Sequence, residues 1–348
     1  MDKRVALVLG SGGARGYTHI GVIEELVARG YEIVAISGCS MGALVGGIYA
    51  AGQLDAYRDW VCQLDYFDVL KLVDVTWSPM GAMRASKVMN KLESLIGDIR
   101  IEDLSIPLTT VATDLNRQKE IWFQSGPLLR AIRASIAVPG IITPVRLDGH
   151  VLVDGGLLNP LPIIPTVAVH ADLVVAVNST AQTSRQVTLE EMLPPEEAAQ
   201  EEARERERES RGQGFGGWLG GVRERVQHMF SNGLGPEDDE EGESSEQAAT
   251  ERAWSKLDMM LASFDITQAA LAKYKVAGYP PDVLIEVPKS VCGAYEFHRA
   301  EALIQLGHHL AAQAIDRYEG KRDMTVTGGD VTEAKHHSLM TPARRKPS

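Results

Sequence analysis

Ile33-Val34-Ala35-Ile36-Ser37-Gly38-Cys39-Ser40-Met41-Gly42-Ala43-Leu44 is the stretch that decides the fold. An apolar, β-branched run ends at Gly38, and a run of small residues (Ala43, Gly46, Gly47, Ala50, Ala51) begins after Gly42. Between them lies Gly-x-Ser-x-Gly, the pattern of a sharp strand-to-helix turn that lifts a serine above the end of a sheet. Gly38 and Gly42 are needed there because the turn folds neighbouring backbone so close that a Cβ would collide. The segment Ile33 to Gly52 carries no charge over 20 residues, yet it holds five glycines and two serines. A strand, a tight turn and a small-residue helix account for it better than a membrane span does.

Working outward, Val5-Ala6-Leu7-Val8-Leu9 reads as a buried strand running into Gly10-Ser11-Gly12-Gly13-Ala14-Arg15-Gly16. Thr18 to Arg29 has helical spacing through Ile20, Ile23, Leu26 and Val27, with Gly30 as its stop. Strand, helix, strand and helix in that order call for a mainly parallel sheet covered on both faces. Downstream, strands are expected at Pro107–Thr113, Lys119–Phe123, Asp172–Asn178 and Asp282–Val287, and helices at Pro127–Ser135 and Ala294–Tyr318. Val145–Leu147, Asp148-Gly149 and Val151–Val153 read as a hairpin. No internal repeat is present.

Hydrophobic residues make up 44% of the 348 and charged residues 24%, which excludes a disordered, collagen-like or disulfide-stapled chain. Cys39, Cys62 and Cys292 are too few and too scattered for a disulfide framework or a metal site, and suggest a reducing compartment. The net charge of -12 argues against nucleic acid as a partner. It is concentrated: Glu190 to Lys256 holds 18 acidic and 8 basic residues, a net of -10, leaving -2 for the rest.

Residues 181–254 therefore read as a charged insert between 1–180 and 255–320, with 321–348 expected as a disordered tail. Glu196–Arg211 and Pro236–Glu246 are expected to stay solvated. Between them an amphipathic helix is expected at 215–230, through Phe215, Trp218, Leu219, Val222, Val226, Met229 and Phe230. That helix either docks on protein or touches a membrane by apolar insertion, since its acidic flanks disfavour attraction to anionic lipid. No export signal is read, so the expected location is cytoplasmic, with peripheral contact at the inner membrane surface.

Three features carry chemistry. The glycine loop lacks the third glycine of a dinucleotide fingerprint, because Arg15 occupies that place, and no Gly-Lys-Ser/Thr follows for a Walker loop. Its consecutive glycines suit a nest of backbone N–H groups facing a developing oxyanion. Ser40 is the candidate nucleophile, with Cys39 beside it expected to point away from the mouth of the elbow as a small buried packing residue. For the base the residues leave a choice. His19, His150 and His170 are available but sit in no convincing position, whereas Asp154-Gly155-Gly156 places a carboxylate at the end of a hairpin strand with glycines clearing space around it.

Taken together, the glycine loop, Gly38-Cys39-Ser40-Met41-Gly42 and Asp154-Gly155-Gly156 resemble the patatin-like phospholipase family, in a bacterial branch similar to the neuropathy-target-esterase type. Arg133–Gly140 and Tyr295–Glu301 add to the similarity, which covers about residues 3–180 and 255–318. The resemblance implies a three-layer α/β/α sandwich and a Ser40–Asp154 dyad instead of a triad. It also implies an oxyanion hole from Gly12 and Gly13, joined by the Met41 amide by analogy with other elbows. Gly10, Arg15, Gly16, Gly38, Gly42 and Gly155 would support these loops. The implied substrate is an acyl-ester lipid, a phospholipid or lysophospholipid, hydrolysed without metal or organic cofactor; the residues leave open a thioesterase or carboxylesterase on soluble acyl substrates and, in another class, a non-catalytic lipid-binding regulatory module.

Overall fold

The computed structural model describes residues 3–72, 75–78, 81–213 and 256–327. In chain order the elements are β1 (Arg4–Leu9), α1 (Thr18–Ala28), β2 (Glu32–Cys39), α2 (Met41–Ala50), α3 (Leu54–Cys62), α4 (Tyr66–Leu72), β3 (Val75–Ser78), β4 (Gly81–Met83) and α5 (Ser86–Ile96). Next come β5 (Leu108–Asp114), β6 (Lys119–Phe123), α6 (Leu128–Ser135), β7 (Gly140–Ile142), β8 (Val145–Leu147), β9 (His150–Asp154) and β10 (Leu173–Ala181). The last are α7 (Leu189–Met192), α8 (Pro195–Gln213), α9 (Lys256–Gly278), β11 (Val283–Pro288) and α10 (Ala300–Thr327).

The main sheet runs β11-β10-β1-β2-β5-β9-β8, with β6 also paired to β5. From β11 to β5 every pairing is parallel, and β6, β8 and β9 add antiparallel pairings at the far side. Residue alternation divides the sheet into two faces. Val5, Leu7 and Leu9, with Val175, Val177, Val283 and Ile285, pack into the larger core together with α1, α2 and α10. Val8, Val174, Ala176 and Leu284 face the other way, against Ala272 and Val276 of α9. This is the α/β/α sandwich the sequence called for.

One pairing decides the geometry of the site. β6 and β9 both pair with Ala112–Asp114, so they lie on opposite edges of β5. β6 and β2 both pair with Thr110 and Val111, so they too lie on opposite edges. Therefore β9 takes up the edge of β5 where β2 leaves it: Cys39 sits opposite Val111, and Asp154 opposite Ala112. The hairpin that delivers Asp154 turns at Asp148-Gly149, both at positive φ (49° and 79°), as a two-residue connection requires.

The structure departs from the sequence expectations at the insert. The charged run from Glu196 on lies in α8 and is not a solvated coil. Its physical reason is Arg299, which is 9% exposed and would be costly to bury alone. Glu201, itself 1% exposed, accepts from Arg299 Nε at 3.1 Å; Glu205 lies 3.2 Å from the same nitrogen, and Glu190 closes on Nη2. The helix expected at 215–230 and the acidic run 236–246 lie outside the described residues. At the other end α10 continues through Thr327, past the expected start of a disordered tail. Among the described residues no helix is long and apolar enough to cross a membrane.

Candidate active site

Ser40 stands between β2 and α2 with φ 55° and ψ -121°, a strained conformation for a residue carrying a side chain. The turn is as tight as the glycines implied. A Cβ on Gly38 would lie 2.5 Å from the Gly42 carbonyl oxygen, and one on Gly42 would lie 2.0 Å from that of Leu9. The Ser40 amide donates to Ser135 Oγ at 2.9 Å, and Ser135 Oγ donates to the Val111 carbonyl at 2.6 Å. Ser135, at the end of α6, thus ties the elbow to β5.

Ser40 Oγ donates to Asp154 Oδ2 at 2.6 Å, while the Gly156 amide donates to Oδ1 at 2.7 Å. Asp154 is fully buried, and burial lifts its carboxyl from 3.8 to about 6 against the hydrogen bonds that favour the charged form. Cys39 is fully buried and does not line the cavity into which Ser40 opens, and its Sγ packs 3.9 Å from Asp154 Oδ1. Its thiol is itself pushed well up by burial and by Asp154, which keeps it protonated. Gly155 leaves room at the join, since a Cβ there would lie 2.2 Å from the Val111 carbonyl oxygen and 3.0 Å from Cys39 Sγ.

The glycine loop lies beside the elbow. The amides of Gly10, Ser11 and Ala14 are held by the carbonyls of Val177, Pro160 and Ala294. Gly12 and Gly13 are the loop amides left without an acceptor among the described residues. Gly13 has φ 58°, and a Cβ there would lie 2.4 Å from the Ala294 carbonyl oxygen, so glycine is required twice over. Arg15 is buried under the loop, donating from Nε to the Gly12 carbonyl at 3.1 Å and from Nη1 to that of Lys289 at 3.0 Å. Gly10 and Gly16 admit neighbouring groups, Gly10 the carbonyl of Val177 and Gly16 the Met41 side chain. Met41 begins α2, so its amide is an open helix N-terminal donor.

The histidines lie elsewhere. His19 Nε2 is 2.8 Å from the Gly10 carbonyl, and burial lowers the ring to about 4, so it is neutral at physiological pH. His150 pairs with Asp114, and His170 is exposed at the surface. No described histidine bonds Ser40 or Asp154. Among the described residues no cluster of three or more His, Cys, Asp or Glu could hold a metal ion.

Ser40, Met41, Gly12 and Gly13 open into a cavity of about 780 Å³. Its lining includes the apolar side chains of Leu44, Trp60, Val69, Val88 and Ile141, together with Gln182, Asp265 and Lys289. Much of the apolar wall comes from α3, α4, α5, β4 and β7, a region that the sequence reading left unassigned. A hydroxyl already bonded to a buried carboxylate, beside uncommitted amides at the mouth of an apolar chamber, is equipped to attack an acyl carbonyl.

A family profile described as patatin-like phospholipase matches residues 7–167, a span that holds the glycine loop, the elbow and Asp154. An uncharacterized NTE family protein of Mycobacterium bovis is 43% identical over 336 residues, covering 91% of this chain and 93% of its own length. A protein of the same description from Mycobacterium tuberculosis gives the same figures. The neuropathy target esterase sws of Drosophila persimilis is 35% identical over 166 residues, which cover 45% of this chain and 11% of that protein. The chain belongs to the patatin-like phospholipase family, and with it to the hydrolases of the phospholipase and esterase class. Its near full-length similarity is to the NTE branch.

Proposed function

We propose that the protein hydrolyses acyl-ester lipids, phospholipids or lysophospholipids, through a Ser40–Asp154 dyad. The observation that carries this reading is the 2.6 Å hydrogen bond from a strained Ser40 to a buried Asp154 at the mouth of an apolar cavity.

Asp154 is mostly ionised at neutral pH, yet a more effective base than a solvated aspartate because burial raises its affinity for a proton. As Ser40 Oγ bonds to the acyl carbon, its proton passes to Asp154 Oδ2 and the carbonyl electrons move onto oxygen. The amides of Gly12, Gly13 and Met41 receive that oxyanion, each such donor contributing about 3–4 kcal/mol of barrier lowering. Collapse re-forms the carbonyl and expels the alcohol, which takes the proton back from Asp154. Water then attacks the acyl-serine, losing its proton to Asp154, and Ser40 leaves with that proton. The apolar lining suits an acyl chain, and the Lys289 and Gln182 side chains within it suit a head group.

Purified protein with Ser40→Ala and Asp154→Asn variants, assayed on phospholipids, lysophospholipids and short-chain esters, tests the proposal. Hydrolysis of the lipids by the native chain, with loss of more than about a thousandfold in both variants, is expected. Near-native turnover in a folded Asp154→Asn variant would show that another group acts as base. Activity confined to soluble esters would withdraw the lipid substrate.

A further inference from the structure

Gln268 belongs to α9, on the far side of the charged insert, 257 residues from Ser11 in sequence. It is 5% exposed, and its Nε2 donates to Ser11 Oγ at 3.1 Å. Ser11 immediately precedes Gly12, and its own amide is held by the Pro160 carbonyl at 2.8 Å. On the other side, Gln268 Nε2 lies 2.1 Å from the point a Cβ on Gly156 would occupy, and Cδ lies 3.0 Å from it. Gly156 is not at positive φ, so its backbone does not call for glycine. What calls for glycine is first the seat it offers to the Gln268 carboxamide, with Asp154 Oδ1 also 3.0 Å from the same point.

Gly156 is also the residue whose amide holds Asp154 Oδ1. One carboxamide therefore touches the loop that carries the Gly12 and Gly13 amides and the turn that fixes Asp154. One helical turn earlier, Asp265 of α9 lies 3.5 Å from Arg15 Nη2 and 3.1 Å from Lys289 Nζ, so α9 grips the loop at two points on one face.

We infer that Gln268 is a positioning residue that sets the oxyanion amides against the Ser40–Asp154 pair, with Gly156 as its seat. The inference rests on the dyad reading above. Its cause is geometric: donors and base come from separate loops, and the interactions they make in the transition state are sensitive to displacements of a fraction of an ångström.

The test uses the full chain with Gln268→Ala, Gly156→Ala and the double variant, each confirmed as folded by its thermal melt. Kinetics on a short-chain ester and the rate of fluorophosphonate labelling at Ser40 are the readouts. Gln268→Ala is expected to lower kcat about 10- to 100-fold with KM changed by no more than about twofold. Gly156→Ala should lose at least as much, because the new methyl pushes the carboxamide off Ser11 and also meets Asp154 Oδ1, and adding Gln268→Ala to it should cost nothing further. Gln268→Met, which keeps the bulk without the amide, replaces the alanine variant if that one does not fold. Losses that multiply in the double variant, an unchanged kcat, or a raised KM with kcat intact would each overturn the inference. Substantial hydrolysis by Ser40→Ala would instead bring down the dyad reading, so the two failures are told apart.

Discussion

Replacing Asp154 with asparagine is expected to abolish turnover while making the folded protein more stable above pH 6. Asp154 is fully buried, and its carboxyl moves from an ordinary 3.8 to about 6 on folding, chiefly through desolvation. Below 3.8 the group is protonated in both folded and unfolded chains and costs nothing. Between 3.8 and about 6 the unfolded chain ionises first, and the cost to the fold grows. Above about 6 both are ionised, and at 1.36 kcal/mol per pH unit the full cost is about 3 kcal/mol. Asparagine removes this cost and can keep both contacts, Oδ1 accepting from the Gly156 amide and Nδ2 donating to Ser40 Oγ. For a chain of this length the melting temperature should rise by about 2–4 °C at pH 8. Thermal melts of both proteins from pH 4 to 8 measure this, and the gain should vanish toward pH 4. A variant that melts at or below the native temperature at pH 8, or a gain that does not shrink with falling pH, would refute the buried-carboxylate argument.

Other consequences follow from the same contacts. On a soluble ester, kcat/KM should rise with pH through a limb centred near 6 if Asp154 is the base proposed above, which is competent only when ionised; a limb near 4 would place Asp154 in a solvated setting. Gly155→Ala sets a methyl 2.2 Å from the Val111 carbonyl oxygen, so urea denaturation should report a loss of about 2 kcal/mol or more, with turnover falling as β9 is pushed off β5. Arg299→Ala takes from the buried Glu201 its shortest partner, leaving Arg208 at 3.7 Å and Arg204 at 3.9 Å, and should cost about 1–3 kcal/mol in the same assay, whereas Glu201→Gln should cost clearly less.

The strands and their order of appearance were legible because their apolar runs are short and bounded by glycine or turn residues. Lys119–Phe123 has the bounds expected of it, and β1, β2 and β5 differ by a residue or two. The elbow was legible because close backbone approach at Gly38 and Gly42 leaves a compositional trace. Ser135 left a weaker one, as a small polar residue in an apolar helix end. Gln268 left none: α9 is apolar on several sides, and the residue acquires meaning only from Ser11 and Gly156, which the fold brings to it. The charged run in α8 misled for a related reason. Composition alone says solvated, and the carboxylates become structural only because Arg299, 98 residues from Glu201, is buried against them. The nearness of the Cys39 sulfur to Asp154 left no trace either, because it depends on β9 following β2 along one edge of β5, and those strands lie more than a hundred residues apart.

That Cys39 and Asp154 face successive residues of β5 has a consequence for how the chain can change over generations. The spacing between Ser40, which follows Cys39, and Asp154 is counted in peptide units, not in side chains. Substitutions along Thr110–Asp114 that keep the strand extended leave the count untouched. One residue gained or lost there would slide Asp154 by about 3.3 Å and turn its side chain to the opposite face. Related sequences should therefore differ freely in letters across this segment and never in length, with their insertions and deletions displaced to turns such as residues 115–118.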